Sequence, residues 1–141
     1  MQHRRSLGRG RRLAFLAVLV ILASAVLPWF TLGGGEGELT ALVYNVWDGP
    51  GLATLLAALA VVAVMTLPYA MIDRPVAIDR GLTYGLLAIV AILGVALWIP
   101  QFLFAPEGFL PDRAPGLWVA AVGVIILARA AYEISLEPPR R

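Results

Sequence analysis

The chain has 141 residues, 60% hydrophobic and 14% charged, with eleven arginines, no lysine, no cysteine and a formal net charge of +2. Soluble domains carry roughly a quarter charged residues, so a mean hydropathy of +0.84 points to a bilayer rather than water as the main solvent. Disulfides, iron–sulfur clusters, thiolate metal sites and thiol catalysis are excluded in a chain without cysteine, and the one histidine, His3, lies in a basic tail away from any apolar run.

Residues 1–12 read as a basic cytoplasmic tail bearing Arg4, Arg5, Arg9, Arg11 and Arg12. The first apolar run predicts a span from Leu13 to Phe30 that closes on Leu27-Pro28-Trp29-Phe30. A cleaved signal is the rival reading, because Ala23-Ser24-Ala25 offers small residues, but the uncharged stretch from Leu13 to Gly35 is longer than a signal's 7 to 15 apolar residues.

After the glycine-rich Gly33 to Gly37, the spacing of Leu39, Leu42, Val43, Val46 and Trp47 fits a short amphipathic outer helix lying on the membrane surface. An irregular loop packed over the helix ends is the alternative, and the β-favouring Thr40, Val43, Tyr44, Val46 and Trp47 keep extended structure open. Further spans are expected at Pro50 to Ile72, Gly81 to Leu103 and Pro115 to Leu136, with residues 137–141 as a second cytoplasmic tail. The predicted fold is therefore all-α, a four-helix integral membrane bundle in a single domain, 13–136.

Charge sets the direction, since basic residues stay on the cytoplasmic side. Arg74, Arg80, Arg140 and Arg141 fall with the basic tail, whereas Glu36, Glu38, Asp48, Glu107 and Asp112 face the other side with Arg113 alone among basic residues. Both termini are expected in the cytoplasm. Trp29, Trp47, Trp98 and Trp118 fall toward the outer side and Tyr69, Tyr84 and Tyr132 toward the inner, as headgroup-level anchors would.

Asp48-Gly49-Pro50-Gly51-Leu52 and Arg113-Ala114-Pro115-Gly116-Leu117 repeat a Pro-Gly-Leu helix entry with an acidic residue, Asp48 or Asp112, available to cap it. The preceding spans both end in Trp and Pro, so the chain reads as two like-oriented transmembrane hairpins, or as generic edge signals that recur. Pairs of small residues, Gly81 with Gly85 and Gly116 with Ala120, are candidate helix-packing positions, either within one chain or between copies.

The first three spans hold no ionisable residue, and the fourth carries Arg129 with Glu133 four residues on, one turn along the same face. This pair is a candidate ion pair, lipid-headgroup site or partner contact, but Tyr132 beside it marks the interface and favours the alternative, snorkelling of Arg129. Trp47, Asp48 and Trp118 are candidate partner contacts on an acidic, aromatic outer rim. No nucleophile with base and orienting group can be assembled, so no catalytic residue, cofactor or metal is assigned, and topology signalling accounts for the basic tail without nucleic acid.

The Leu27-Pro28-Trp29-Phe30 closure, the glycine-rich outer loop and the two arginine-flanked hairpins together resemble small four-span integral membrane proteins of GC-rich bacterial genomes. The resemblance implies the fold and a bacterial inner-membrane location, and carries no activity or site residue. The expected role is a non-enzymatic accessory or assembly subunit, binding a larger membrane complex through its outer loops or lipid-facing helices. The alternative is a small transporter or channel formed by a homo-oligomer.

Overall fold

The computed structural model describes residues 8–35, 40–70 and 79–137. Helix α1 (Arg9–Ser24) leads to strand β1 (Phe30–Leu32), strand β2 (Leu42–Tyr44), a 3-10 turn (Val46–Asp48) and helix α2 (Gly51–Ala70). Helices α3 (Arg80–Ala96) and α4 (Ile99–Phe104), a second 3-10 turn (Pro106–Phe109) and helix α5 (Pro115–Ser135) complete the order. Among the described residues, three segments are long and apolar enough to cross a membrane: Gly51–Pro68, Arg80–Phe104 and Pro115–Ser135, with mean hydropathy 2.2, 2.4 and 1.8. These fit a multi-pass membrane protein.

The first span differs from its sequence reading. Helix α1 begins four residues before Leu13, because arginine is a good helix former, and its 16 residues cover only about 24 Å. It stops at Ser24, since Pro28 disfavours helical backbone in the residue before it, and Phe30 has passed into a strand.

The third span is also interrupted. Pro100 has no N–H and its ring would strike the carbonyl of Ala96, so α3 ends at Ala96, Leu97 and Trp98 turn, and α4 restarts with proline in its first turn. The repeated helix entries hold better. Pro50 stands immediately before α2, and Pro115 opens α5.

The amphipathic outer helix is corrected to a β-ribbon, and the fold to helices plus this ribbon. β1 and β2 pair antiparallel, with Phe30 opposite Tyr44, Thr31 opposite Val43 and Leu32 opposite Leu42, and the Trp29 N–H extends the ladder to the Tyr44 carbonyl at 2.9 Å. Helical spacing lost here because β-branched and aromatic residues on both segments found cross-strand partners. Gly33 and Gly34 leave β1 at φ 75° and 83°, backbone that a side chain would strain. Leu39, with the acidic Glu36 and Glu38, lies outside the described residues, as do Ile72, Arg74 and most of both tails.

Helix α1 packs along α5, α5 along α3, α3 along α2 and α2 along α1. The closest seam joins Gly10, Ala14, Ala17, Ile21 and Ser24 of α1 to Gly116, Ala120, Gly123, Leu127, Ala130 and Ile134 of α5. Both rows alternate steps of four and three, the period of helices that pack at a shallow angle. The helices run antiparallel, because a side chain at Gly10 would meet Ile134 and one at Gly123 would meet Ile21 Cγ1 at 2.7 Å. Small residues here let backbones approach where lipid provides no hydrophobic drive.

Helices α2 and α3 use a different device. A side chain at Gly94 would run into the Thr54 hydroxyl and the Thr54 backbone nitrogen 2.7 Å away, and Thr54 Oγ1 donates to the Ala91 carbonyl at 2.9 Å.

Candidate functional site

The helix ends that carry β1 and β2 close over a second apolar cluster: Trp29, Phe30, Val46, Leu55, Trp98, Ala105, Phe109 and Ala120. Ring centroids stand 6.4 Å apart for Trp29 and Trp98, 6.1 Å for Phe30 and Trp98, and 4.8 Å for Phe30 and Phe109, spacings at which tilted aromatic rings attract. Trp29 and Trp98 are thus not the headgroup anchors their positions suggested. They are core residues, because the chain after each helix folds back over them instead of leaving into solvent.

The two tryptophans differ in hydrogen bonding. Trp29 Nε1 donates to the Ser24 carbonyl at 3.0 Å. Trp98 Nε1 is buried and has no partner among the described residues.

The loops above this cluster are tied to one another. Thr31 Oγ1 donates to the Arg113 carbonyl at 2.7 Å, Arg113 Nη1 donates to the Gly33 carbonyl at 3.2 Å, and the Gly116 N–H donates to the Pro28 carbonyl at 2.8 Å. Arg113, the lone basic residue in the connections from α1 to α2 and from α3 to α5, therefore joins the loop after α1 to the loop before α5. Its isolation among acidic neighbours was the sequence signal for such a role. Thr31 carried no comparable signal.

Candidate residue Asp48 does not cap α2. Its Oδ2 accepts the Asn45 N–H at 2.7 Å and closes a capping box around its own 3-10 turn. Asp112 provides no cap to α5, which has no side-chain cap bond. Trp47 is 62% exposed on the same 3-10 turn, and Trp118 is 52% exposed on α5 with Nε1 donating to the Phe109 carbonyl at 2.8 Å. No ring contact joins Trp47 to Trp118 among the described residues, so they are separate apolar points on a braced surface. Leu42 and Val43 of β2, close to Trp47 in sequence, are also exposed.

Trp118 also borders an apolar groove of about 250 Å³ with Trp98, Phe102, Phe109 and Leu117, open on the side of α3, α4 and α5.

At the opposite end, Arg129 Nη2 meets Glu133 Oε1 at 2.9 Å, on the shared helix face that their four-residue spacing implies. The sequence did not reveal that Arg9, from the start of α1, reaches the other carboxylate oxygen, with Nε 3.5 Å from Oε2. No local pattern links residues so far apart. The Arg129 guanidinium also sits 5.4 Å from the centre of the Tyr132 ring.

The four candidate packing positions divide. Gly116 and Ala120 are buried inside the chain, so that face is closed to a second copy. A side chain at Gly81 would make ordinary contact with Ser135 at 3.4 Å, and one at Gly85 would meet nothing within 4 Å among the described residues. Among the described residues, Gly81 and Gly85 therefore do not share one packing partner. Among the described residues, no group of three or more His, Asp or Glu side chains is gathered to hold a metal ion. No protein-family model, curated protein or solved structure matches the chain.

Proposed function

We propose that this protein is a non-enzymatic accessory or assembly subunit of the bacterial cell membrane, which binds a protein partner through its outer face. In this reading α1, extended by the Ala25 to Trp29 segment, is a fourth crossing. The chain is then a four-helix bundle of two like-oriented hairpins with both termini in the cytoplasm. The antiparallel contact of neighbouring helices and the basic start of α1 support that arrangement.

The observation that carries the proposal is the braced outer cap. Trp47 and Trp118 are exposed large aromatic residues that project from backbone fixed by a buried aromatic cluster and by the Thr31, Arg113 and Gly116 ties. Rigid aromatic anchors lose little entropy on binding, which suits protein recognition.

The interior supports a binding role over conduction. Ser24 and Thr54 are the buried polar residues in the core described, and both hydroxyls are satisfied by helix carbonyls. A pathway would have to form between copies, and the uncovered Gly85 surface is the feature that favours this alternative of a small oligomeric transporter.

Purification from the native source in mild detergent, with a photo-crosslinking residue at Trp47 or Trp118, tests the proposal. The expected result is migration with a larger complex, a cross-link to one partner, and at least about tenfold weaker association after Trp47→Ala or Trp118→Ala. A lone monomer would overturn it, and ion or solute flux in liposomes would favour the transporter.

A further inference from the structure

The array of Arg9, Glu133 and Arg129 has a chemistry that the outer-face role does not use. Glu133 is the buried member, with 15% of its side chain exposed, while Arg9 and Arg129 are 80% and 57% exposed. One carboxylate thus pins two guanidiniums from different helices and leaves the array with a net single positive charge. Each arginine has five N–H donors in a planar fork, and the contacts to Glu133 engage one nitrogen of each.

The spacing of the two helices under this array is set by backbone. A side chain at Gly10, next to Arg9, would lie 3.3 Å from the Ala130 carbonyl and strike Ile134 Cγ1 at 2.7 Å. Arg129 lies six residues before the end of α5, about 9 Å along the axis, so its charge sits below the helix end. An arginine at that depth needs an anion or a path to the interface.

The surroundings select an anion. Arg11, Arg12 and Arg80 belong to the same end, where Arg11, Arg80 and Glu137 all lie within electrostatic range of Tyr84. The acids there are Asp79, Glu133 and Glu137. Asp79 accepts the Leu82 N–H at 3.1 Å as the cap of α3, and Glu133 is consumed by the array. Among the described residues of this end, five arginines stand against three carboxylates.

We propose that Arg9 and Arg129, held by Glu133, form a seat for the phosphate of an anionic phospholipid headgroup at the end of the molecule where α1 begins and α5 finishes. Guanidinium and phosphodiester match in bidentate geometry, and the exposed apolar Phe15, Leu16 and Ile125 nearer mid-helix offer a surface for the acyl chains. The seat is independent of whatever the outer face binds.

Native mass spectrometry of the detergent-purified full chain, titrated with phosphatidylglycerol or phosphatidylcholine, tests this. Phosphatidylglycerol is expected to be retained in preference. Arg9→Gln and Arg129→Gln should each weaken its retention about fivefold, the effect of roughly one basic residue at a lipid surface. Arg12→Gln, outside the array, should change it less than about twofold, and Arg129→Lys, which keeps charge but loses the fork, should fall between wild type and Arg129→Gln.

Equal losses for Arg12→Gln and Arg129→Gln would mean a diffuse basic surface and would overturn the seat. So would retention of phosphatidylcholine to the same extent, full displacement by millimolar inorganic phosphate, or release of a bound acidic protein, rather than lipid, by Arg129→Gln. Unchanged circular dichroism keeps each variant interpretable, since these side chains are exposed. A chain that purifies alone yet keeps the lipid preference would refute the accessory role and leave the seat standing.

Discussion

Replacing one glycine at a time by alanine should give opposite signs at Gly116 and Gly85. A methyl group at Gly116 would stand 2.6 Å from the Leu27 carbonyl oxygen, 2.6 Å from Trp29 Cδ1 and 2.8 Å from the Pro28 carbonyl oxygen. Two of these are backbone atoms that cannot rotate away, so α5 must move, and overpacking of this kind costs about 1–3 kcal/mol. Movement also stretches the 2.8 Å bond from the Gly116 N–H to Pro28, adding about 1 kcal/mol. At Gly85 the methyl meets nothing within 4 Å among the described residues, and the gain in helix propensity is about 0.5–1 kcal/mol.

The two variants should therefore differ by about 3 kcal/mol, roughly a hundredfold in the folding equilibrium. Titration with sodium dodecyl sulfate in mixed micelles, followed by helicity and by tryptophan fluorescence, would measure the difference. A Gly116→Ala variant within about 0.5 kcal/mol of wild type would refute the close approach of α5 to the Leu27 to Trp29 segment. A Gly85→Ala loss above about 1 kcal/mol would show that something covers the Gly85 surface, as a second copy would.

Trp29→Phe and Trp98→Phe both open a similar cavity in the aromatic cluster, but Trp29→Phe should cost at least about 1 kcal/mol more, because it alone deletes a hydrogen bond, to the Ser24 carbonyl, while the Trp98 N–H has no partner among the described residues; the same titration reads both. Thr54→Val should lower stability by about 0.5–1.5 kcal/mol through loss of the bond to Ala91, while Thr66→Val, whose hydroxyl bonds its own helix at 3.0 Å, should change it by less than about 0.5 kcal/mol. Arg113→Ala should speed amide hydrogen exchange in the Trp29 to Gly34 segment by at least about fivefold, and unchanged exchange would show that Arg113 does not brace the loops over the aromatic cluster.

Much of the architecture is written in local chemistry. Long uncharged runs required apolar helices, Pro115 marked the start of α5, and the four-residue step put Arg129 and Glu133 on one face, because each of these depends on residues that are contiguous or close in sequence. Only the tertiary structure decided what meets across the chain. It turned Phe30–Leu32 and Leu42–Tyr44 into a ribbon against the helical spacing of that loop, since the favourable partner of each strand was the other one.

It likewise buried Trp29 and Trp98, which local rules place at the membrane edge, because the folded-back loops close over them. It set Gly116 against Leu27 and left Gly85 open, though both belong to small-residue pairs that read alike. It brought Arg9 to Glu133, a contact that spans nearly the whole sequence and has no local signature. Periodicity and composition determine which surfaces a chain can form; the register of one helix on another determines which of those surfaces are spent inside and which remain to bind.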